Sequence, residues 1–164
     1  MKDNLNYKII KNVINEKDFN NLHTLISSDQ FPWYMGSVIS YKREIHFAHF
    51  FLNDDYVKSP FFNFISPILK KLNAKGLRRI KANIYPKTNK IIEHGFHTDY
   101  DNHKNLKTAV FYCNSNNGYT KFSNDIKIES VNNTLISFDS NEKHTGSTCT
   151  DEEYRIIINI NYYE

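Results

Sequence analysis

Thiol is scarce in this sequence: Cys113 and Cys149 are its two cysteines, and they stand far apart. That spacing fits neither a disulfide framework nor a cysteine metal or redox motif, so both read as thiols in a reducing compartment. With 5 glycines and 4 prolines there is no Pro/Gly-rich linker, and no repeat or low-complexity tract divides the chain. Long hydrophobic runs are missing as well, and "MKDNLNYKII" is too polar for a signal peptide. The expected setting is therefore the cytoplasm, without membrane association. An excess of one charge is also lacking. Lys and Arg number 21 against 18 Asp and Glu, a formal +3 that by itself does not argue for a nucleic-acid partner.

What the sequence has in quantity is aromatic side chains, 12 Phe and 11 Tyr in 164 residues. That length is one domain by the usual size relation, and large side chains must fill most of its core. Helical signals fall in the first half. "INEKDFNNLHTLISS" offers Asn15 as N-cap, acidic residues in the first turn, and Phe19, Leu22 and Ile26 on one face. "SPFFNFISPILKKLN" offers Ser59 as N-cap and Pro60 at the first helical position, with Pro67 expected to kink the helix or delay its start.

From Arg78 onward the texture changes to short apolar-rich runs broken by Asn, Asp, Gly and Lys. Strands are expected near "RRIKANIY", "GFHTD", "LKTAVFYC", "TKFS", "IKIES", "TLISFD", "EKHTG" and "YRIIININ". This pattern predicts a single domain, mainly β within an α+β class. Residues 1–77 form a helical N-terminal support, and residues 78–164 form a jelly-roll or sandwich core with the helices packed on one sheet. A parallel α/β fold lacks the crossover helices it would need between these strands.

Residues 94 to 101 read "HGFHTDYD". On a strand, residues two apart share a face, so His97 and Asp99 project together while Phe96 and Thr98 turn away. An imidazole beside a carboxylate supplies two of the three ligands of a facial triad that holds non-haem iron. His144, in "NEKHTG", is the candidate third. Alone, His-x-Asp reads as a hydrogen-bonded polar pair at a strand end. Arg155 then opens "YRIIININ", the most strongly β-forming run. Alone it fits a surface salt bridge with Glu152 or Glu153. At the inward start of a buried strand it requires an anion, which a dicarboxylate would supply to its bidentate fork.

The order His97-x-Asp99, a later His144 and then Arg155 resembles the iron(II)/2-oxoglutarate-dependent dioxygenases, and most closely their prolyl 4-hydroxylase-like branch. The resemblance covers about Lys81 to Asn161, roughly half the chain. "KANIYPK" is similar to the strand that brings a tyrosine into that branch's active site, which matches Tyr85. "TAVFYCN" is similar to the strand whose tyrosine binds the cosubstrate's distal carboxylate, which matches Tyr112. "NNGYTKF" resembles the family's Gly-rich approach to the next strand, with the single Gly118 where a glycine pair is frequent. Compact stand-alone versions, some phage-encoded, look similar too; a phage origin would place the protein in the host cytoplasm.

The resemblance implies a double-stranded β-helix with Fe(II) on His97, Asp99 and His144, and no catalytic side chain beyond the metal site. It implies 2-oxoglutarate on Arg155 and Tyr112 with Tyr85 nearby, O2 as oxidant, and ascorbate as an optional accessory. The implied reaction hydroxylates a C–H bond with release of succinate and CO2, on a protein side chain such as proline or on a small molecule. A nucleic-acid-directed demethylase is the alternative, supported by the basic run "KKLNAKGLRRIK". The arginine-and-asparagine motif of that branch is not clear in "YRIIININ". A non-catalytic jelly-roll binding module is a third reading.

Strand parity agrees with these matches independently of any family. Tyr112 shares a face with Val110 and Thr108, and Tyr85 with Asn83 and Lys81. His94, Asp101 and His103 read as solvated or as neighbours of the ligands, and His23, His46 and His49 receive no role. The basic run reads first as a solvated helix end and turn. "FPWYMG" and "HFAHFFLNDDY" read either as a substrate lid or as core contacts. The sequence does not fix the oligomeric state.

Overall fold

A computed structural model of the chain describes residues 6–36, 46–101 and 103–164; of the polar N-terminal stretch, residues 1–5 lie outside these. In chain order the elements are β1 (Tyr7–Lys11), α1 (Glu16–Ile26), β2 (Tyr34–Gly36), β3 (His46–Asn53) and β4 (Tyr56–Val57). A 3-10 turn (Phe62–Ile65) and α2 (Ser66–Leu72) follow. Then come β5 (Gly76–Pro86), β6 (Leu106–Tyr112), β7 (Asn116–Phe122), β8 (Lys127–Ser130), β9 (Thr134–Asp139), β10 (His144–Gly146) and β11 (Tyr154–Tyr163). A major antiparallel sheet runs β1-β9-β6-β11-β5-β3-β2, with β4 also paired to β3, and a minor sheet runs β10-β7-β8. The result is a jelly roll with helices on one sheet, as the strand spacing predicts.

Local signals explain the helices. The Asn15 side chain accepts from the Asp18 backbone N–H and opens α1, whose Leu22 and Ile26 are buried. Pro67 occupies the first turn of α2, so the segment from Pro60 is a short 3-10 turn and the α-helix begins late. Ser59 still receives the Phe61 N–H on its hydroxyl.

Alternation sorts the strand side chains onto two faces. Phe111, Ile156, Ile158, Ile160, Ile80 and Ala82 pack with Leu22, Ile26, Ile65 and Ile68 of the helical layer. Truncating one of the buried phenylalanines to Ala there costs about 3–5 kcal/mol. Val110, Tyr112, Phe122, Ile136, Phe138 and Ile157 fill the space between the two sheets.

The first half departs from its expected helical character. Before residue 78 it also supplies β1, at one edge of the major sheet, and β2, β3 and β4 at the other. β1 is a short edge strand of mixed Lys and Ile, a pattern too brief to show a period. "HFAHFFLN" is not a lid: it is β3, paired along β5, with Phe51 and Leu52 in the core. Phe31 and Trp33 likewise pack into the helical layer, whereas Tyr34 and Met35 of β2 are exposed. Cys113 and Cys149 are both free and buried, and burial pushes both thiols up.

Candidate metal centre

His97 and His144 face each other across an isolated antiparallel bridge, each backbone N–H donating to the other's carbonyl at 2.9 Å. Such a reciprocal pair fixes two side chains side by side, and the ring centroids lie 4.6 Å apart. Asp99 follows two residues later on the same face, tied by its own N–H to the Ser140 carbonyl at 3.1 Å. One ligand atom from each of His97, Asp99 and His144 lies within 4.8 Å of the others.

The donor set suits a divalent transition metal. Nδ1 of His97 meets the Gly95 carbonyl at 3.1 Å, and Nδ1 of His144 meets the Glu142 carbonyl at 2.9 Å. Each contact makes Nδ1 the protonated nitrogen and leaves the Nε2 lone pair for coordination. The Asp99 carboxylate is almost completely buried and held at both oxygens. Arg79 donates to Oδ1 at 3.0 Å, while Thr108 and Asn161 donate to Oδ2 at 2.8 and 2.9 Å.

Burial pushes the Asp99 pKa up, but Arg79 above all, then His144 and the bonds from Asn161 and Thr108, hold it below the ordinary carboxylate value. Burial pushes His144 down, with Asp99 opposing. A charged carboxylate and a neutral imidazole are the forms a metal requires.

Arg155 lies behind this centre, fully buried. Its Nε donates to Ser130 Oγ at 2.7 Å, and the remaining contacts go to the Ser147 carbonyl at 3.3 Å and Thr120 Oγ1 at 3.5 Å. No carboxylate pairs with it among the described residues, and Glu153 pairs instead with Lys87. A guanidinium buried among neutral oxygens calls for an anion. The Tyr112 ring lies 5.7 Å from it, and the Tyr112 hydroxyl donates to Thr120 Oγ1 at 3.0 Å. Burial, opposed by Arg155, raises the Tyr112 pKa to about 12, so the phenol stays a neutral donor. Tyr85 is the cross-strand partner of Arg155.

A cavity between the sheets has the three candidate ligands in its wall, and Arg155 and Tyr112 lie behind Thr120, which contacts both. Tyr85, Thr120 and the β5 residues Arg79, Lys81 and Asn83 also line the cavity. Two sequence assignments change here, and a third is narrowed. Of the two readings of His94, the structure keeps the one beside the ligands: it is buried, lines the cavity and stacks on Tyr85 with centroids 4.6 Å apart. His46, on β3, also lines the cavity and stacks on Tyr85 at 5.5 Å. The basic run is not one solvated face: Lys70, Lys71 and Lys75 are exposed, Arg78 pairs with Asp54 and Asp55, and Arg79 and Lys81 turn inward. Asp101 and His103 are exposed, as expected.

Arg79, Thr108 and Asn161, which hold Asp99, escape sequence reading. Parity carries the signal for them: Arg79 continues the Lys81, Asn83, Tyr85 face, and Asn161 continues the Arg155, Ile157, Asn159 face.

No family model matches the sequence, and no curated protein does. Solved structures match across nearly the whole chain. A prolyl hydroxylase from Trichoplax adhaerens, in complex with a hypoxia-inducible-factor peptide, aligns with TM-score 0.67 and 14% identity over 98% of this chain and 84% of its own. The fold is that of the 2-oxoglutarate/Fe(II) oxygenases. SnoK, a non-haem α-ketoglutarate-dependent carbocyclase from nogalamycin biosynthesis, aligns with TM-score 0.72 and 10% identity over 98% and 80%. HygX from Streptomyces hygroscopicus, with nickel and 2-oxoglutarate bound, aligns with TM-score 0.66 and 10% identity over 98% and 84%.

Proposed function

We propose that the protein is an Fe(II)- and 2-oxoglutarate-dependent oxygenase that hydroxylates a C–H bond of its substrate, with succinate and CO2 as coproducts. The observation that carries this reading is the convergence of two imidazoles and one carboxylate beside an arginine that is fully buried without an anionic partner among the described residues. His97, Asp99 and His144 would hold the iron, and their donor chemistry fits it. When bound, ferrous iron activates O2 at the expense of 2-oxoglutarate and supplies the oxidising power that no side chain has.

The chain's own residues do the rest. Arg155 neutralises the distal carboxylate of 2-oxoglutarate, and Tyr112, a neutral donor at neutral pH, hydrogen-bonds it. Ser130, Thr120 and the Ser147 carbonyl orient the guanidinium. Tyr85 stands across from Arg155 on β5 and walls the same cavity. Arg79, Thr108 and Asn161 keep Asp99 ionised and in one rotamer. Val110, Ile157 and the inter-sheet aromatics exclude water from one side.

Succinate release from 2-oxoglutarate, dependent on Fe(II) and O2, tests the reading. It is expected in the native protein, lost in Asp99→Ala, and shifted in Arg155→Lys to a 2-oxoglutarate requirement on the order of tenfold higher. A native protein without it would be a binding module.

A further inference from the structure

Four cross-strand pairs line the inner face where β5 meets β11: Tyr85 with Arg155, Asn83 with Ile157, Lys81 with Asn159, and Arg79 with Asn161. The two ends are occupied, since Arg155 is held by Ser130 and Arg79 is bonded to Asp99 and Asn161. The middle is not. Lys81 lines the cavity with no carboxylate in ion-pair range among the described residues, and its ammonium sits 5.4 Å from the Phe50 ring centroid. Asn83 is 3% exposed and lines the cavity, and its amide has no hydrogen bond among the described residues. Oδ1 of Asn159 is buried without a partner among the described residues. Leaving a buried atom such as Asn159 Oδ1 unmet costs about 1–3 kcal/mol, and Lys81 and Asn83 present a charge and an amide to the same stretch of cavity wall.

We propose that Lys81, Asn83 and Asn159 form the prime-substrate subsite and that it takes a small carboxylic acid. Lys81 pairs with the carboxylate, the Asn83 amide N–H donates to it, and Asn159 Oδ1 accepts from an N–H or O–H that the acid itself carries. This rests on the oxygenase reading above, in which Arg155 takes the cosubstrate's distal carboxylate. Lys81 is then the cation left for a second anion. Burial foremost, and Arg79 next, lower the Lys81 pKa, with Asp99 opposing, so a second negative charge relieves a cost already built into the cavity wall. A neutral residue inside a peptide chain brings no free carboxylate and leaves Lys81 without an anion.

The test uses the full chain with Fe(II), O2 and saturating 2-oxoglutarate. Succinate release is followed while acetate, L-alanine and L-proline are titrated against their primary amides. At least one acid is expected to stimulate release saturably, with its amide requiring tenfold more or failing. Lys81→Met should raise that acid's half-saturation at least tenfold, and Lys81→Arg should recover part of the loss. The anaerobic affinity of Lys81→Met for 2-oxoglutarate, which also reports folding, should stay within twofold of native. The subsite assignment is overturned if no acid stimulates, if acids and amides act equally, or if Lys81→Met chiefly weakens 2-oxoglutarate. The last result would make Lys81 a cosubstrate residue. Absence of any 2-oxoglutarate binding or turnover would instead bring down the oxygenase reading.

Discussion

Arg79 holds one oxygen of Asp99 at 3.0 Å, on the opposite side of the carboxylate from the oxygen that Thr108 and Asn161 share. A carboxylate fixed in this way would bind a metal tightly because its orientation is settled in advance. Groups that orient a ligand typically contribute 10–100-fold to metal affinity. Arg79→Met is expected to weaken Fe(II) or Co(II) binding by about that factor, with Arg79→Lys intermediate. Competitive titration against a chromophoric chelator measures it, and equal affinity in all three proteins would remove Arg79 from the site.

Gly118 is required by Arg155. A Cβ at this position would lie 2.6 Å from Arg155 Cδ and 2.9 Å from the Thr148 carbonyl oxygen. The guanidinium stem thus passes directly over a position where only hydrogen fits. Gly118→Ala should destabilise the fold by about 1–3 kcal/mol through overpacking. It should also raise the 2-oxoglutarate requirement in the same direction as Arg155→Lys. Urea unfolding with a 2-oxoglutarate titration checks both effects, and a neutral Gly118→Ala would show that Arg155 has another path.

Much of this site was legible in the sequence because strand parity is strict. Tyr112 points inward with Val110, and Arg155 shares its face with Ile157, as alternation requires, whereas His97 and Asp99 come together at an isolated bridge and a bend and not on the expected strand "GFHTD". The order of the three candidate ligands and Arg155 along the chain carried the resemblance on which the proposed chemistry rests. Irregular backbone hid the rest. His94 precedes a bridge rather than a strand, so counting by twos could not choose between its two readings. β3 carries aromatics and histidines on both faces, which blurs its period and hid His46. In the basic run, inward-facing cations on β5 were indistinguishable from solvated ones until Asp99 supplied Arg79 with a partner.

His46 gives the fold a pH dependence. Burial first, then the charges of Lys81 and His94, lower its pKa from 6.5 to about 4. The unfolded chain therefore takes up a proton that the folded chain refuses between those values, so stability is complete above about pH 6.5 and falls as pH drops towards 4. His49 and His144 are shifted in the same direction. His46→Phe retains a ring against Tyr85 and should flatten the acid slope by at most about 1.4 kcal/mol per pH unit. Urea unfolding of the metal-free protein at about pH 7 and about pH 5 reads it. An unchanged slope would mean His46 does not titrate this way.

The most direct measurement is anaerobic absorption of the protein with Fe(II) and 2-oxoglutarate. A visible band that needs both additions is expected in the native protein and in His94→Ala, and it should be absent from His97→Ala, Asp99→Ala and His144→Ala. No band in the native protein, or a band that survives loss of any of those three side chains, would contradict the metal centre.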